Sequence, residues 1–290
     1  MALLLVLAGS CRSGGESGPL IFGLIADCQF ANKPAAGTRF YSYSWLKLIN
    51  SIEEFNRREV SFAVQLGDLI DGDAANFELI LPLFNRAAFP FYGVIGNHDF
   101  DVEDELKPGL PARLGTGRGY YAFSKRSWRF IVLNGNELSF NSTAEGALRK
   151  ETEEMFSLLT ERKRASAAKW NGGIGGKQFD FLKAELERAE KAGQKIIVFC
   201  HFPVLPAAAH NLWNDQEVVS LLERYPGMKA YFSGHNHEGD YSVKNGIHYV
   251  TFKGMVETRD TNAAALITLT EHRITIHGLG RETSRGLDIR

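Results

Sequence analysis

Short apolar runs that end in polar residues recur along the chain. Residues 20–26 and 61–66 are mostly apolar, and the first run leads to Asp27 while the second leads to Gly67-Asp68. This pattern is typical of buried strands with polar tips. Between them, residues 44–58 carry apolar side chains at the i, i+3, i+4, i+7 spacing of an amphipathic helix, with Ser44 as the expected N-cap. Together these segments predict a β-α-β unit.

The same alternation continues and becomes strand-rich towards the C-terminus. Further helices are predicted over 77–86, 145–169, 176–192 and 214–223, and further strands over 91–95, 120–124, 129–134, 195–200, 229–233, 241–253, 263–269 and 273–278. Gly193 is expected to cap the third of these helices. Because strands and helices alternate before the strands dominate, the pattern predicts two mixed sheets packed face to face with helices outside. The expected fold is a four-layer αββα sandwich formed by residues 20–290 as one domain.

The amino-acid composition and net charge of the chain limit which kinds of molecule it can bind. The 290 residues are 44% hydrophobic and carry a formal net charge of −1, which is typical of an ordinary globular protein with a large core. No strong basic field attracts a nucleic-acid backbone, so we expect no nucleic-acid partner. A small-molecule substrate fits this charge better.

The first residues resemble the signal of a bacterial lipoprotein. Residues 3–8 are apolar, Gly9-Ser10-Cys11 follows, and residues 12–18 are rich in Ser and Gly. This resemblance implies cleavage before Cys11, lipid attachment to its thiol, and a tether that ends at residue 19. The alternative is a frayed tail on a cytoplasmic protein. Cys28 and Cys200 are expected to be buried free thiols.

Five strand-end loops carry side chains that bind metals. The candidates are Asp27 with Gln29, Asp68, Asn97 with His98, His201, and His235 with His237. Because the carboxyl ends of neighbouring strands lie side by side in a sheet, residues far apart in sequence can meet in one crevice there. The loops therefore predict one convergent metal site.

Two-metal hydrolysis explains this set of residue types. Two divalent cations about 3.5–4 Å apart need a bridging carboxylate and further oxygen and imidazole ligands, with room left for a water. Asp68 is the expected bridge. His98 lies next to a ligand candidate and is the expected acid that protonates the leaving oxygen, with Asp99 orienting it.

The ordered motifs resemble those of the calcineurin-like metallophosphoesterases. That family has D-x-H, G-D, G-N-H-(D/E), a lone His and G-H-x-H, and this chain matches all of them except that Gln29 replaces the first His. The resemblance implies one metal held by Asp27, Gln29, Asp68 and His237, and a second held by Asp68, Asn97, His201 and His235.

Gln29 stands where the family motif has histidine, and this difference indicates both the preferred metal and the branch of the family that the chain resembles. An amide oxygen is a harder ligand than imidazole, so it favours Mn²⁺, with Mg²⁺, Fe or Zn²⁺ as alternatives. The sequence is most similar to the manganese-dependent ADP-ribose/CDP-alcohol diphosphatases, which carry D-x-Q, and segments such as Trp170-Asn171-Gly172-Gly173 also resemble that branch. This implies hydrolysis of the pyrophosphate in a nucleotide conjugate. The alternatives are a phosphomonoesterase, a cyclic nucleotide phosphodiesterase, or a non-catalytic scaffold.

Candidate substrate contacts come from polar and aromatic residues near the motif loops. Arg39 could neutralise the second phosphate, and the other candidates are Tyr43, Asn171, Asn211 and Trp213. His210 follows the His201 loop and could face substrate, although an exposed loop histidine is the commoner outcome. The oligomeric state stays open.

Overall fold

The structure is a computed structural model that describes residues 18–142 and 146–290. Its strands are β1 (Leu20–Ile25), β2 (Ala63–Gln65), β3 (Phe91–Gly93), β4 (Tyr121–Lys125), β5 (Trp128–Val132), β6 (Leu138–Ser139), β7 (Gly172–Gly173), β8 (Lys195–Phe199), β9 (Met228–Ser233), β10 (Asp240–Lys244), β11 (Ile247–Thr251), β12 (Ala263–Leu269), β13 (Arg273–Gly280) and β14 (Arg285–Asp288). The α-helices are α1 (Ser44–Arg57), α2 (Ala75–Ile80), α3 (Leu110–Arg113), α4 (Ala147–Glu161), α5 (Gly176–Lys191) and α6 (Asp215–Leu222), and 3₁₀ helices span Tyr41–Tyr43, Leu81–Arg86, His98–Phe100 and Lys107–Gly109.

Two six-stranded mixed sheets form the centre of the fold. The first sheet has the order β14-β13-β12-β1-β2-β3, with β1, β2 and β3 parallel and β12 antiparallel to β1. The second sheet has the order β10-β11-β9-β8-β5-β4, with a parallel centre and an antiparallel strand at each edge. A small third sheet pairs β6 with β7.

Three apolar cores separate four layers. Between the sheets, Phe22 stacks on Phe62 with ring centroids 4.7 Å apart, and both belong to a cluster that includes side chains of the second sheet. The outer face of the first sheet is covered by α1 through Leu48 and Phe55, while α5 covers the second sheet through Leu182. The predicted αββα sandwich is confirmed.

Most predicted elements form within a few residues of the expected bounds, and the exceptions have local causes. The helix expected over 77–86 changes to a 3₁₀ helix at Leu81, where Pro82 removes a backbone donor. The helix expected over 145–169 ends at Glu161, and Lys163 just beyond it has a left-handed φ of +51°. Ser44 is the first residue of α1 and does not cap it, because its hydroxyl makes no cap hydrogen bond.

The single strand expected over 241–253 is a hairpin. Asn245 and Gly246 both have positive φ, +50° and +77°, and join β10 to β11. This is the dipeptide that a two-residue primed turn prefers. Gly193 takes the predicted position after α5 with φ +63°.

The lipoprotein-like segment falls on residues 1–17, so Cys11 and its lipid lie outside the described residues and stay a prediction. Within the described part of the chain, none of the helices combines the length and the apolar character that crossing a membrane requires. Cys28 and Cys200 are buried free thiols, as expected.

Candidate metal centre

The five predicted loops meet at one edge of the sandwich. They follow β1, β2 and β3 of the first sheet and β8 and β9 of the second. Asp27, Asp68 and His201 are wholly buried there, and Gln29 and Asn97 are nearly so. The structure thus brings the predicted ligands together.

The backbone at these strand ends is unusual. Four of the seven expected ligands have left-handed φ angles: Asp27 (+48°), Gln29 (+43°), Asp68 (+55°) and His235 (+66°). Such conformations cost free energy in residues other than glycine and persist where surrounding structure enforces them. The loops therefore hold these side chains in imposed directions.

Two motif glycines leave space for carboxylates. A Cβ atom on Gly96 would overlap Oδ1 of Asp68, and one on Gly234 would overlap Oδ2 of Asp27. The glycine beside each ligand motif is thus required by close approach of the neighbouring loop.

Asp68 occupies the middle of the cluster. Its Oδ1 accepts the backbone N–H of His98 at 2.8 Å, and its Oδ2 lies 3.1 Å from Nε2 of Gln29 and 3.3 Å from Nε2 of His201. Burial opposes ionisation of this carboxyl, but the neighbouring His201 and His98 outweigh it and lower the pKa of Asp68 well below its usual range. Asp68 is therefore an ionised carboxylate with neighbours on both sides.

The remaining ligands divide into two groups around Asp68. On one side, Oδ1 of Asn97 lies 3.1 Å from Nε2 of His201, and the His201 and His235 rings have centroids 4.9 Å apart. On the other side, Nε2 of His237 lies 3.6 Å from Oδ1 of Asp27. Asn97, His201 and His235 thus lie together on one side, and Asp27 and His237 lie together on the other.

The donor set fits two divalent cations. Oε1 of Gln29 is buried and has no hydrogen-bond partner among the described residues, although a buried amide oxygen normally has one. Carboxylate, amide and imidazole donors at one point suit metals of intermediate hardness such as Mn²⁺. A coordinated cation would satisfy the unpartnered oxygen.

Two of the histidine ligands, His201 and His237, have a partner on Nδ1. Nδ1 of His201 donates to the carbonyl of Leu66 at 2.9 Å, and Nδ1 of His237 lies 2.7 Å from Oε1 of Glu257. The His237 hydrogen bond lowers the pKa of Glu257 to about 2. These outer contacts orient the rings and hold Nε2 towards the other ligands.

His98 is paired with Asp71, and this corrects the expected role of Asp99. Nδ1 of His98 lies 2.8 Å from Oδ1 of Asp71, whose other oxygen is 3.1 Å from Nζ of Lys33. Asp99 is buried, and its carboxylate accepts the backbone N–H groups of Asp68, Leu69, Ile70 and Gly96. It braces two ligand loops, whereas Asp71 orients His98.

An open cleft lies over the ligands, with a volume of about 190 Å³. Besides the ligands and His98, it is lined by Arg39, Trp170 and His210. Trp170 is 54% exposed, which is unusual for so large an apolar side chain. The ring of His210 meets that of His235 edge-on, with centroids 5.4 Å apart.

Comparison with known proteins places this arrangement in a family. Residues 21–239 match the family model described as calcineurin-like phosphoesterase. The chain belongs to the calcineurin-like phosphoesterases. The predicted resemblance is thereby confirmed for most of its length.

Several relatives within the calcineurin-like phosphoesterases share one name. Proteins called manganese-dependent ADP-ribose/CDP-alcohol diphosphatase from Xenopus laevis (28% identical, covering 93% of this chain and 90% of the relative) and Arabidopsis thaliana (29% identical, covering 91% and 95%) are similar to it. A crystal structure of a dimetal phosphatase from Danio rerio superposes with a TM-score of 0.86, at 25% identity, over 94% of this chain and 100% of that one. The similarity extends well beyond the motif loops.

Four expected substrate contacts lie away from the cleft of this calcineurin-like phosphoesterase. Asn171, Asn211 and Trp213 are buried, and their side-chain donors bond backbone carbonyls or, for Asn211, also Asp215. Tyr43 packs against Phe40 and Arg259 and does not line the cleft. Of the five substrate candidates, Arg39 alone lines it.

Sequence reasoning missed Asp71 and Glu257 as parts of the site. Asp71 lies three residues after Asp68 in Gly67-Asp68-Leu69-Ile70-Asp71, so proximity to a ligand was an available signal. Glu257 lies 20 residues beyond its partner His237 in a loop with no motif, and nothing local marks it.

Proposed function

We propose that this chain hydrolyses the diphosphate bond of nucleoside diphosphate conjugates of the ADP-ribose and CDP-choline type, using two divalent cations, Mn²⁺ above others. The observation that carries the proposal is Gln29. Its buried amide oxygen has no hydrogen-bond partner in the part of the chain that the structure describes, and it stands where the family motif has an imidazole. The shared name of relatives that align with about nine-tenths of the chain supports the same substrate class.

The metal ions, when bound, lower the pKa of a coordinated water and neutralise charge on the phosphoryl oxygens. Asp68 holds the central position between the two ligand groups, with one carboxylate oxygen towards His201 and Gln29. The buried ligands and the strained loops keep these donors fixed, so little reorganisation accompanies the reaction.

His98 supplies the proton. Because its Nδ1 is held by Asp71, its Nε2 remains for the substrate, and the side chain lines the cleft with 25% of its area exposed. The oxygen of water bonds to one phosphorus and releases a proton to solvent, the bond from that phosphorus to the bridging oxygen breaks, and His98 protonates the released oxygen. His98 then regains a proton from solvent. The products are a nucleoside monophosphate and a second phosphate ester.

Arg39, Trp170 and His210 surround the space above the ligands. The guanidinium of Arg39 pairs with Glu257 at 3.9 Å and can bond the second phosphate. The exposed face of Trp170 suits stacking of a nucleobase. This arrangement gives the second phosphate and the base of a nucleotide conjugate one complementary side chain each.

The test is hydrolysis by metal-stripped protein refilled separately with Mn²⁺, Mg²⁺ or Zn²⁺. ADP-ribose, CDP-choline, a 2′,3′-cyclic nucleotide and p-nitrophenyl phosphate are compared in parallel. Release of AMP from ADP-ribose and of CMP from CDP-choline, fastest with Mn²⁺, is the expected result.

The other outcomes assign a different function. If the monoester or the cyclic nucleotide reacts far faster than both conjugates, the protein is a phosphomonoesterase or a cyclic phosphodiesterase. If no substrate reacts while two metals bind and the chain binds a protein partner, the scaffold alternative is favoured.

A further inference from the structure

Asn171 is a buried amide that touches three separate loops at the edge of the metal centre. Its Nδ2 donates to the carbonyls of Ser166, at 3.0 Å, and Ala209, at 2.7 Å, while its Oδ1 lies 2.9 Å from Nε2 of His235. The side chain has no exposed surface. It cannot contact substrate, so its three bonds require another explanation.

The two carbonyls determine which way the amide faces. A carbonyl oxygen only accepts hydrogen bonds, so both protons of Nδ2 are committed to Ser166 and Ala209. If the amide were rotated by half a turn, Oδ1 would face two acceptors and both of those bonds would be lost. Oδ1 of Asn171 therefore faces His235.

The amide orientation in turn determines the proton position on His235. An amide oxygen can only accept, so Nε2 of His235 must carry the hydrogen, and in the neutral ring Nδ1 keeps the lone pair. A metal ligand needs that lone pair. This is the reverse of His201, whose Nδ1 donates to the Leu66 carbonyl and leaves Nε2 for the metal.

We propose that Asn171 is a positioning residue that fixes the tautomer and ring orientation of His235 so that Nδ1 is available to a metal. The inference rests on the metal centre of the proposed function and is independent of its substrate. In the family's motif set His235 is the ligand, while Asn171 lies 64 residues earlier in the chain. Its position is secured by the carbonyls of Ser166 and Ala209, and neither residue is an expected ligand.

Two substitutions at Asn171 separate this role from simple support of the loops. Asn171→Leu has a similar shape but loses the acceptor for His235, whereas Asn171→Asp keeps an acceptor oxygen and loses the donor to the carbonyls. Mn²⁺ binding is measured by isothermal titration without substrate. We expect Asn171→Leu to weaken one of the two Mn²⁺ sites by about 10- to 100-fold and Asn171→Asp to retain affinity within roughly tenfold of wild type.

A matched control is available in the same loop region. Asn211 is also wholly buried, and its Nδ2 bonds the Pro206 carbonyl and Asp215. Within residues 18–142 and 146–290 it has no bond to an expected metal ligand. Asn211→Leu should lower the thermal midpoint of unfolding and leave both Mn²⁺ affinities unchanged. If it weakens Mn²⁺ binding as much as Asn171→Leu does, loop support alone explains the effect and the proposal is overturned.

A measurement on the unmodified protein keeps the proposal testable even where a variant fails to fold. Long-range ¹⁵N–¹H correlation spectra of the metal-free protein report the tautomer of each histidine, and the His235 signals are assigned by their loss in His235→Gln. The expected form carries hydrogen on Nε2. Hydrogen on Nδ1 of His235 would overturn the assignment, as would wild-type Mn²⁺ affinity in Asn171→Leu or loss of affinity in Asn171→Asp equal to that in Asn171→Leu.

Discussion

Nδ1 of His98 lies 2.8 Å from the Oδ1 atom of Asp71. The other oxygen of Asp71 is held 3.1 Å from Nζ of Lys33, so the carboxylate is fixed between two cationic partners. Burial alone would lower the pKa of His98, but Asp68 and Asp71 outweigh it and raise that pKa above its ordinary value. Asp71 thus orients the ring and favours the protonated state that an acid requires.

The first prediction concerns Asp71→Asn. The amide keeps the size of the side chain but removes the charge that favours protonated His98, so we expect kcat to fall by roughly tenfold or more, a part of the roughly 10²–10⁴-fold that acid catalysis contributes. A general acid loses activity as pH rises through its pKa. Since that pKa falls in Asp71→Asn, the decline of kcat on the alkaline side should move to lower pH.

His98→Ala and metal analysis complete that experiment. His98→Ala should lose most of the rate, and both variants should keep two Mn²⁺ ions per chain because neither residue is an expected ligand. Loss of metal from either variant, or an unchanged alkaline limb in Asp71→Asn, would contradict the assignment.

The second prediction concerns Asp68→Ala, which removes the carboxylate between the two ligand groups. We expect loss of two-metal occupancy together with activity, because both expected shells share this residue. Bound Mn²⁺ is counted by elemental analysis after desalting. Glu103→Ala changes an exposed carboxylate outside the site and serves as the control; two bound ions in Asp68→Ala would show that another group bridges them.

The third prediction concerns Gln29→His. Histidine tolerates left-handed backbone better than most residues, so the φ of +43° at this position should be retained and the fold with it. Imidazole is a softer donor than an amide oxygen, so the metal preference should move from Mn²⁺ towards Zn²⁺ or iron. Activity of metal-stripped protein titrated with each ion measures this, and unchanged Mn²⁺ preference would refute the softness argument.

The ligand loops could be predicted from sequence because each loop begins where an apolar run ends. A strand end fixes where such a residue lies, and the parallel strands β1, β2 and β3 bring Asp27, Asp68 and Asn97 to one edge. The order of the layers could also be predicted, because apolar side chains repeat at different intervals along strands and along helices. The spacing of apolar residues therefore distinguishes the sheet strands from the outer helices.

The contacts behind the ligands could not be predicted in this way. Asn171 and Trp213 have side chains that could bind a nucleotide, but the loops between α4 and α6 turn both of them into the interior. Trp170 is adjacent in sequence to Asn171 and yet faces the cleft. Residue type and nearness to a motif therefore predict a binding role poorly when a loop decides which neighbour faces the solvent.

The fourth prediction concerns Cys11 and localisation. If the N-terminal segment is a lipoprotein signal, cells expressing the chain in a bacterial host should incorporate labelled palmitate into it, and Cys11→Ser should abolish the label because acylation requires the thiol. Membrane fractionation should show the same difference. A soluble wild-type chain that retains Met1 and carries no label would favour the cytoplasmic alternative.

The fifth prediction concerns Trp170, whose side chain is 54% exposed beside the ligands. Stacking of a base on an aromatic ring contributes about 1–3 kcal/mol, so Trp170→Ala should raise the KM for ADP-ribose at least several-fold, while Trp170→Phe keeps an aromatic face and most of the affinity. Inhibition by AMP should weaken in Trp170→Ala, whereas inhibition by inorganic phosphate, which has no base, should not change. If inhibition by AMP and inhibition by phosphate both weaken, Trp170 supports the metal centre through its neighbour Asn171. If neither inhibition weakens, the base lies elsewhere in the cleft.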